Sequence, residues 1–134
     1  MYFYIYIKCV NGFGIFTYDS GVVTQFHTSW TQWKNLFSLE IFGENGAMLV
    51  DGLGRSYGVE TLTIHCRKPE GGAPHTETIQ YNSEDVSWNL EWIDFIKSIR
   101  TGSPMLGSAD DGIVAMRMLD AVYRSSTTRK VVNV

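Results

Sequence analysis

The sequence predicts an α+β fold, with a largely antiparallel open-faced sheet and two helices packed on one of its faces. Segments with strand-like alternation fill residues 2–81, glycine-containing turns separate many of them, and helical periodicity dominates after residue 84. Because the strands form one block and the helices another, their order favours an antiparallel sheet covered by helices over alternating β-α-β units.

Seven segments have the composition or the alternation of β-strands. The first is rich in Tyr, Phe and Ile, and the turn Asp19-Ser20-Gly21 joins the second strand to the third. In the sixth, Leu62, Ile64 and Cys66 alternate with polar residues. The predicted strands are residues 2–10, 14–18, 22–30, 37–41, 47–50, 61–67 and 75–81, the last at a sheet edge.

Two helices are predicted after the strands. Residues 84–100 carry apolar side chains at helical spacing, and Gly102 ends that helix. Ser108 and Asp111 fit the N-cap of the second helix, residues 110–126, and a short strand at residues 131–134 closes the chain. The expected buried stripes are Trp88, Trp92, Phe95 and Ile99 in the first helix and Ala115, Met118, Leu119 and Val122 in the second.

The composition fits one globular domain spanning residues 1–134. The chain is 44% hydrophobic and 19% charged with a net charge of −3, and it has no Lys/Arg cluster, so neither nucleic acid nor an anionic membrane is an expected partner. Cys9 and Cys66 have no metal or disulfide spacing, which predicts reduced, buried thiols in a cytoplasmic protein. The apolar N-terminus is too short for a membrane span and lacks the basic region of a signal peptide.

The early strands are apolar on both faces. Tyr4 and Tyr6 oppose Ile5 and Ile7, so both sides of the first strand carry large apolar groups. One face can pack on the helices, and the other would be an exposed patch without a partner. We therefore expect a homodimer or a higher homo-oligomer that forms through the sheet face.

The glycine-rich segment Gly52-Leu53-Gly54-Arg55-Ser56-Tyr57-Gly58 resembles a dinucleotide-binding fingerprint in its spacing. That motif requires a helix directly after it, because the helix N-terminus presents amides to the pyrophosphate. Here a β-branched, alternating segment follows, which predicts a strand. We expect a flexible turn and no cofactor bound by this chain.

No catalytic or metal-binding constellation is predicted. His27, His65 and His75 have no metal-ligand spacing, and the chain has no G-x-S-x-G motif for a nucleophilic serine. Asp110 and Asp111 start a helix, where acidic residues complement the helix dipole.

One cluster has the composition of a sugar-binding site. Trp30 and Trp33 interleave with Gln32, Lys34 and Asn35 between two predicted strands. Indole rings offer flat faces to the C–H side of a sugar, and amide and ammonium groups can bond its hydroxyls. The alternative is a turn that contains two half-buried tryptophans.

The order of several short motifs resembles the C-terminal domain of the glucose–fructose oxidoreductase and inositol dehydrogenase (Gfo/Idh/MocA) family. The resemblance covers residues 11–134 and rests on Tyr18-Asp19-Ser20-Gly21, Leu39-Glu40-Ile41-Phe42-Gly43, Trp92-Ile93-Asp94-Phe95-Ile96 and the helix that starts at Asp111-Gly112. It implies a domain that shapes a substrate pocket and mediates subunit contacts. In that family an N-terminal Rossmann domain binds NAD or NADP and carries a Glu-Lys-Pro motif, neither of which is expected in this chain.

The resemblance therefore predicts the substrate and assembly half of a sugar or cyclitol oxidoreductase, inactive alone, with a Rossmann domain as a partner. The alternative is a standalone protein without catalytic activity that forms homo-oligomers or binds a sugar. An unrelated α+β enzyme with a dispersed active site is a third hypothesis.

Overall fold

A computed structural model describes residues 3–8 and 10–134 of the chain. These residues form seven strands followed by two helices, which confirms the predicted α+β class. In chain order the elements are β1 (Phe3–Lys8), β2 (Asn11–Thr17), β3 (Val23–Ser29), β4 (Ser38–Gly43), β5 (Gly46–Asp51), β6 (Glu60–Cys66), β7 (His75–Tyr81), α1 (Ser87–Thr101) and α2 (Ala109–Thr128).

The strands are divided between two antiparallel sheets, whereas the sequence had indicated one. The first sheet has the order β1-β2-β3 and the second the order β4-β5-β6-β7, so β7 lies at an edge as predicted. The chain likewise forms two compact units: Met1–Thr31 with Trp92–Val134, and Gln32–Glu91. We call them the first and second units. The expected single domain stays a prediction.

The first sheet is built from two successive hairpins. The long strand predicted at residues 2–10 is wrong at its end, because β1 stops at Lys8 and pairs there with Asn11, the first residue of β2. The second hairpin is the predicted one. Gly21 adopts φ +85° and donates its backbone N–H to the carbonyl of Tyr18, a conformation that favours glycine.

Helix α2 covers one face of the first sheet and forms the core of the first unit. Side chains alternate along β2, so that Phe16 is buried with Ala121 and Val122 of α2. Phe26, Met118 and Val132 pack around them and are partly buried. Of the stripe predicted for this helix, Val122 is buried and Met118 partly so, whereas Ala115 and Leu119 are exposed.

The ends of α2 are fixed by local hydrogen bonds. Ser108 and Asp111 form the predicted capping box, in which each side chain accepts the other residue's backbone N–H. At the other end Arg129 has φ +54°, and the Ser125 hydroxyl donates to the Lys130 carbonyl at 2.6 Å. The strand predicted at residues 131–134 is wrong. This segment pairs with no described strand; instead the turn held by Ser125 brings Val132 against the core.

Hydrogen bonds mark the two ends of helix α1. The Asp85 carboxylate accepts the N–H of Ser87 at 2.9 Å, and Gly102, at φ +68°, donates to the carbonyl of Ser98. No residue of this helix is buried. The apolar stripe predicted for it is present in the sequence, but its side chains are exposed.

The second unit contains the four-stranded antiparallel sheet. Gly46 follows the turn between β4 and β5, where a Cβ would lie 2.1 Å from the carbonyl oxygen of His65 on the paired strand β6. Only glycine therefore fits at that point of the ladder. Among the described residues, no helix combines the length and the hydropathy needed to cross a membrane.

Candidate functional site

The first unit contains a cleft of about 410 Å³ between the β2–β3 hairpin and α2. Phe16 and Phe26 line it from the sheet, and Met118, Leu119 and Val122 line it from the helix. The volume lies within the range of sites that hold small molecules, and such sites are mostly lined by apolar and aromatic side chains. This cleft is therefore a candidate binding site in the first unit.

A glycine of β2, Gly12, is one of the residues that line the cleft. Gly12 pairs with Thr28 in the hairpin, and both residues line the cleft. A Cβ on Gly12 would lie 3.1 Å from Cγ2 of Thr28, which is tighter than an ordinary contact. A glycine inside a strand commonly marks a close approach of another group.

A hydrogen-bonded polar cluster lies at the end of the hairpin that borders the cleft. The hydroxyls of Ser29 and Thr31 both donate to Oδ1 of Asn11, and Asn11 itself lines the cleft. The N–H of Thr31 donates to Oγ of Ser29 at 3.1 Å. Between these two residues lies Trp30, whose backbone N–H bonds to the carbonyl of Val10 at 2.8 Å. These bonds hold the backbone of the segment in place beside Asn11 and Trp30, which line the cleft.

The predicted site residues are not brought together in this cleft. The Trp30 side chain, 89% exposed, lines the cleft, and the other lining residues also belong to the first unit. Gln32, Trp33, Lys34 and Asn35 belong to the second unit, in the irregular segment before β4. Both tryptophans are exposed, so the alternative of two half-buried rings is wrong. Sugar contact by these residues stays a prediction.

Sequence reasoning missed Asn11, Gly12 and Thr28 as residues of the cleft. The available signal was the Asn-Gly pair at the start of a strand, since glycine within a strand points to a close approach. Tyr123 was also missed. It lines the cleft from α2 and is exposed, so its ring and hydroxyl are open to a ligand.

The glycine-rich segment at residues 52–58 has the strand after it that the sequence predicted. It joins β5 to β6, and Gly52 takes φ +81° where a Cβ would lie 2.5 Å from the carbonyl oxygen of Val59. The glycine thus serves a tight turn. No helix N-terminus follows to offer amides to a pyrophosphate, so the residues do not fit a dinucleotide. That the chain binds no nicotinamide cofactor stays a prediction.

Two of the three histidines in the described residues have structural partners. His27 stacks on Phe13 with ring centroids 4.2 Å apart, and Nδ1 of His65 lies 2.9 Å from the Thr76 hydroxyl. Within residues 10–134, no three His, Cys, Asp or Glu side chains could share a metal ion. Cys66 is free but exposed, so the prediction that it is buried is wrong; Cys9 lies outside the described residues.

Two carboxylates with a lowered pKa, those of Asp85 and Asp111, lie at the N-termini of the helices. Hydrogen bonds from the Ser108 side chain and backbone hold the pKa of Asp111 below its ordinary value. Hydrogen bonds from Ser87, and to a lesser extent the charge of Arg55, lower the pKa of Asp85. Each carboxylate is ionised near neutral pH, and its hydrogen bonds assign it to capping rather than to proton transfer.

The comparisons with known proteins place this fold in a family. Residues 11–134 match the family model described as "Oxidoreductase family, C-terminal alpha/beta domain", of the Gfo/Idh/MocA group. The chain belongs to this oxidoreductase family, and the match confirms the resemblance inferred from its motifs. No curated protein and no solved structure gave a significant match.

Proposed function

We propose that this chain is the substrate-pocket and oligomerisation domain of an NAD(P)-dependent oxidoreductase that acts on a sugar or a cyclitol. The match of residues 11–134 to the family's C-terminal domain is the observation that carries the proposal. In such an enzyme a Rossmann domain holds the nicotinamide cofactor, which supplies or accepts the hydride. The present chain shapes the pocket and joins the subunits, and it is not catalytic alone.

The assembly role is supported by the sheet surface that faces away from α2. We call this surface the outer face; it consists of Phe13, Ile15, Val23, Gln25 and His27, which share one side of β2 and β3 in the observed register. Phe13, Ile15 and Val23 are exposed large apolar side chains. An apolar patch of this kind on a folded protein typically marks an interface.

The first test is the mass of the purified chain in solution. We expect light scattering to give a homodimer or a larger homo-oligomer, and Ile15→Lys to shift it to the monomer, because a charge would be buried in the interface. Leu53→Lys is the matched control, since the exposed fraction of Leu53 (48%) is close to that of Ile15 (42%) and Leu53 lies in the second unit. A parent chain that is monomeric at high concentration contradicts the assembly role.

The second test pairs the chain with a Rossmann-domain protein of the same family, by co-expression. A stable complex with NAD(P)-dependent oxidation of a sugar or cyclitol supports the proposed function. A homo-oligomer that ignores this partner but binds sugar would instead make the chain a standalone sugar-binding or assembly protein. Calorimetric titration of the chain alone with NADH or NADPH should show no binding; micromolar affinity would overturn the assignment of the cofactor to another domain.

The contribution of each tryptophan to substrate binding can be separated by substitution. If the cleft takes part in binding, Trp30→Ala should weaken sugar binding with little loss of stability, because the ring is almost fully exposed. Trp33→Ala tests in the same way whether Trp33, the predicted site residue in the second unit, contributes to sugar binding. If both variants bind sugar as tightly as the parent chain, neither tryptophan belongs to the binding site.

A further inference from the structure

A second recess lies in the second unit, beside the glycine-rich loop that the proposed function does not use. It has a volume of about 350 Å³ and is lined by Arg55, Gly58, Val59, Tyr81 and Asn82. A Cβ on Gly58 would meet no atom within 4 Å, so the loop leaves this side of the recess open. Tyr81, half exposed at the end of β7, offers part of its ring to the recess.

Arg55 is held in an unfavourable backbone conformation at the recess. Its φ is +59°, and among the described residues the other positive φ outside glycine belongs to Arg129, which ends α2. A non-glycine residue in this region costs about 1–2 kcal/mol, and such strain concentrates at functional positions. The guanidinium donates from Nη2 to the Asn82 carbonyl at 3.0 Å, which fixes the side chain across the recess.

Hydrogen bonds hold the loop around Arg55 in a defined shape. The Glu60 carboxylate accepts the N–H of Gly54 at 2.7 Å, and the N–H of Gly58 bonds to the Arg55 carbonyl at 3.2 Å. These bonds give the loop a defined shape in the structure; the flexibility expected from its glycines stays a prediction. A guanidinium has five N–H donors in a fixed plane, so the bond to Asn82 leaves others for a ligand.

The charges around the recess select the kind of ligand. Glu60 bonds to the loop, and Asp85 is close enough to Arg55 for its ionised form to be stabilised by the guanidinium. Oδ2 of Asp85 would lie 3.4 Å from a Cβ on Gly54, whose N–H Glu60 accepts, so both carboxylates border the loop that carries Arg55. Negative charges at this loop disfavour an anion such as phosphate. A neutral ligand with several hydroxyls has no such penalty, since its oxygens accept from the guanidinium and its C–H face stacks on an aromatic ring.

We propose that the recess formed by Arg55, Tyr81 and Asn82 binds a neutral polyhydroxylated molecule, with the guanidinium bonded to its hydroxyls and the Tyr81 ring against its C–H face. This inference stands on the recess alone and is independent of the cleft in the first unit. It therefore holds or fails separately from the proposed function.

The test is a titration of the full chain, followed through its backbone amide signals by NMR. The probes are myo-inositol and methyl glucoside as neutral polyols, with inorganic phosphate as the anion. We expect saturable shifts at Arg55, Gly58 and Asn82 with at least one polyol and none with phosphate. Absence of saturable shifts at these residues with both polyols, or shifts with phosphate alone, would overturn the proposal.

Two variants and one control connect the shifts to the side chains. Arg55→Asn removes the guanidinium while keeping a residue that tolerates positive φ, and we expect affinity to fall at least about tenfold. Arg67→Asn, at an exposed arginine of the same unit outside the recess, should change nothing. If Arg55→Asn disturbs the loop, Tyr81→Leu tests the stacking of the ligand on the Tyr81 ring instead. Unchanged affinity in Tyr81→Leu contradicts the stacking. A loss of affinity that Tyr81→Phe does not show supports it.

Discussion

Replacing Phe16 by Ala should destabilise the first unit strongly, because this ring forms the sheet side of its small core. Phe16 is 7% exposed and packs on Ala121 and Val122, with its ring centroid 5.3 Å from that of Phe26. Truncation of a buried Phe to Ala costs about 3–5 kcal/mol, and less where the neighbours can close the cavity. The adjoining cleft gives them room to move, so we expect a loss of about 3 kcal/mol, a large share of the 5–15 kcal/mol typical of a domain.

Denaturant unfolding measures this loss, and hydrogen exchange locates it. We expect faster amide exchange in β2, β3 and α2 of Phe16→Ala, with smaller changes in β5 and β6. Phe42→Ala is the matched control: Phe42 is 73% exposed in β4, so its loss should cost no more than about 0.5 kcal/mol. Equal losses in the two variants, or uniform exchange across both sheets, would refute the assignment of the core to Phe16 and α2.

Two further predictions concern the ends of α2. Ser125→Ala should lower the free energy of unfolding by about 1–3 kcal/mol in denaturant, because it leaves the Lys130 carbonyl without its buried donor. Thr127→Ala removes an exposed hydroxyl and should lower it by less. A larger loss in Thr127→Ala than in Ser125→Ala would contradict the argument. Ser108→Ala should cost about 1 kcal/mol near neutral pH through loss of the cap. Since Ser108 holds the pKa of Asp111 below 3.8, its contribution is complete above that value and is lost as the pH falls through the lower folded pKa. The difference between parent and variant should therefore shrink in acid to the part that Ser108 contributes by accepting the backbone N–H of Asp111, and a difference that does not change with pH would exclude the linkage.

Local features of the fold could be predicted because their signals lie within a few residues of one another. The Ser108–Asp111 capping box and the turn at Gly21 are read directly from residue types at fixed spacing. The strand after Gly58 was predicted from its alternation, and that was enough to exclude the dinucleotide fingerprint.

Features that depend on distant partners could not be predicted in the same way. The segment at residues 131–134 is rich in valine, as strands are, but a strand also needs a neighbour with which to pair. Residues 2–10 have no glycine or proline to mark the break between β1 and β2. The periodicity of α1 identifies an apolar face, but it does not say what covers that face.

The candidate site was predicted only where composition was enough. Trp30 was proposed as a sugar-binding residue because it is an aromatic among polar residues; its side chain lines the cleft, and its contact with a sugar stays a prediction. The cleft itself depends on the pairing of Gly12 with Thr28 and on the docking of α2. Both are contacts between segments far apart in the chain, and a single sequence does not reveal them.

The distribution of apolar groups finally bears on how the chain is stabilised. Hydrophobic residues make up 44% of the sequence, yet within residues 10–134 the buried ones are Phe16, Ala121 and Val122. Burial of apolar surface is the main driving force of folding, so the proposed oligomer would bury apolar side chains that the fold of one chain leaves exposed.

If a second copy covers the outer face, unfolding is coupled to dissociation and stability must depend on concentration. Each tenfold rise in chain concentration then adds about 1.4 kcal/mol per dimer, which raises the midpoint of thermal unfolding. Ile15→Lys, by separating the copies, should lower the midpoint and abolish its dependence on concentration. A parent midpoint that is constant over a hundredfold range of concentration (about two such steps) would mean that the chain is stabilised by its own fold, and that the outer face is not where its stability arises.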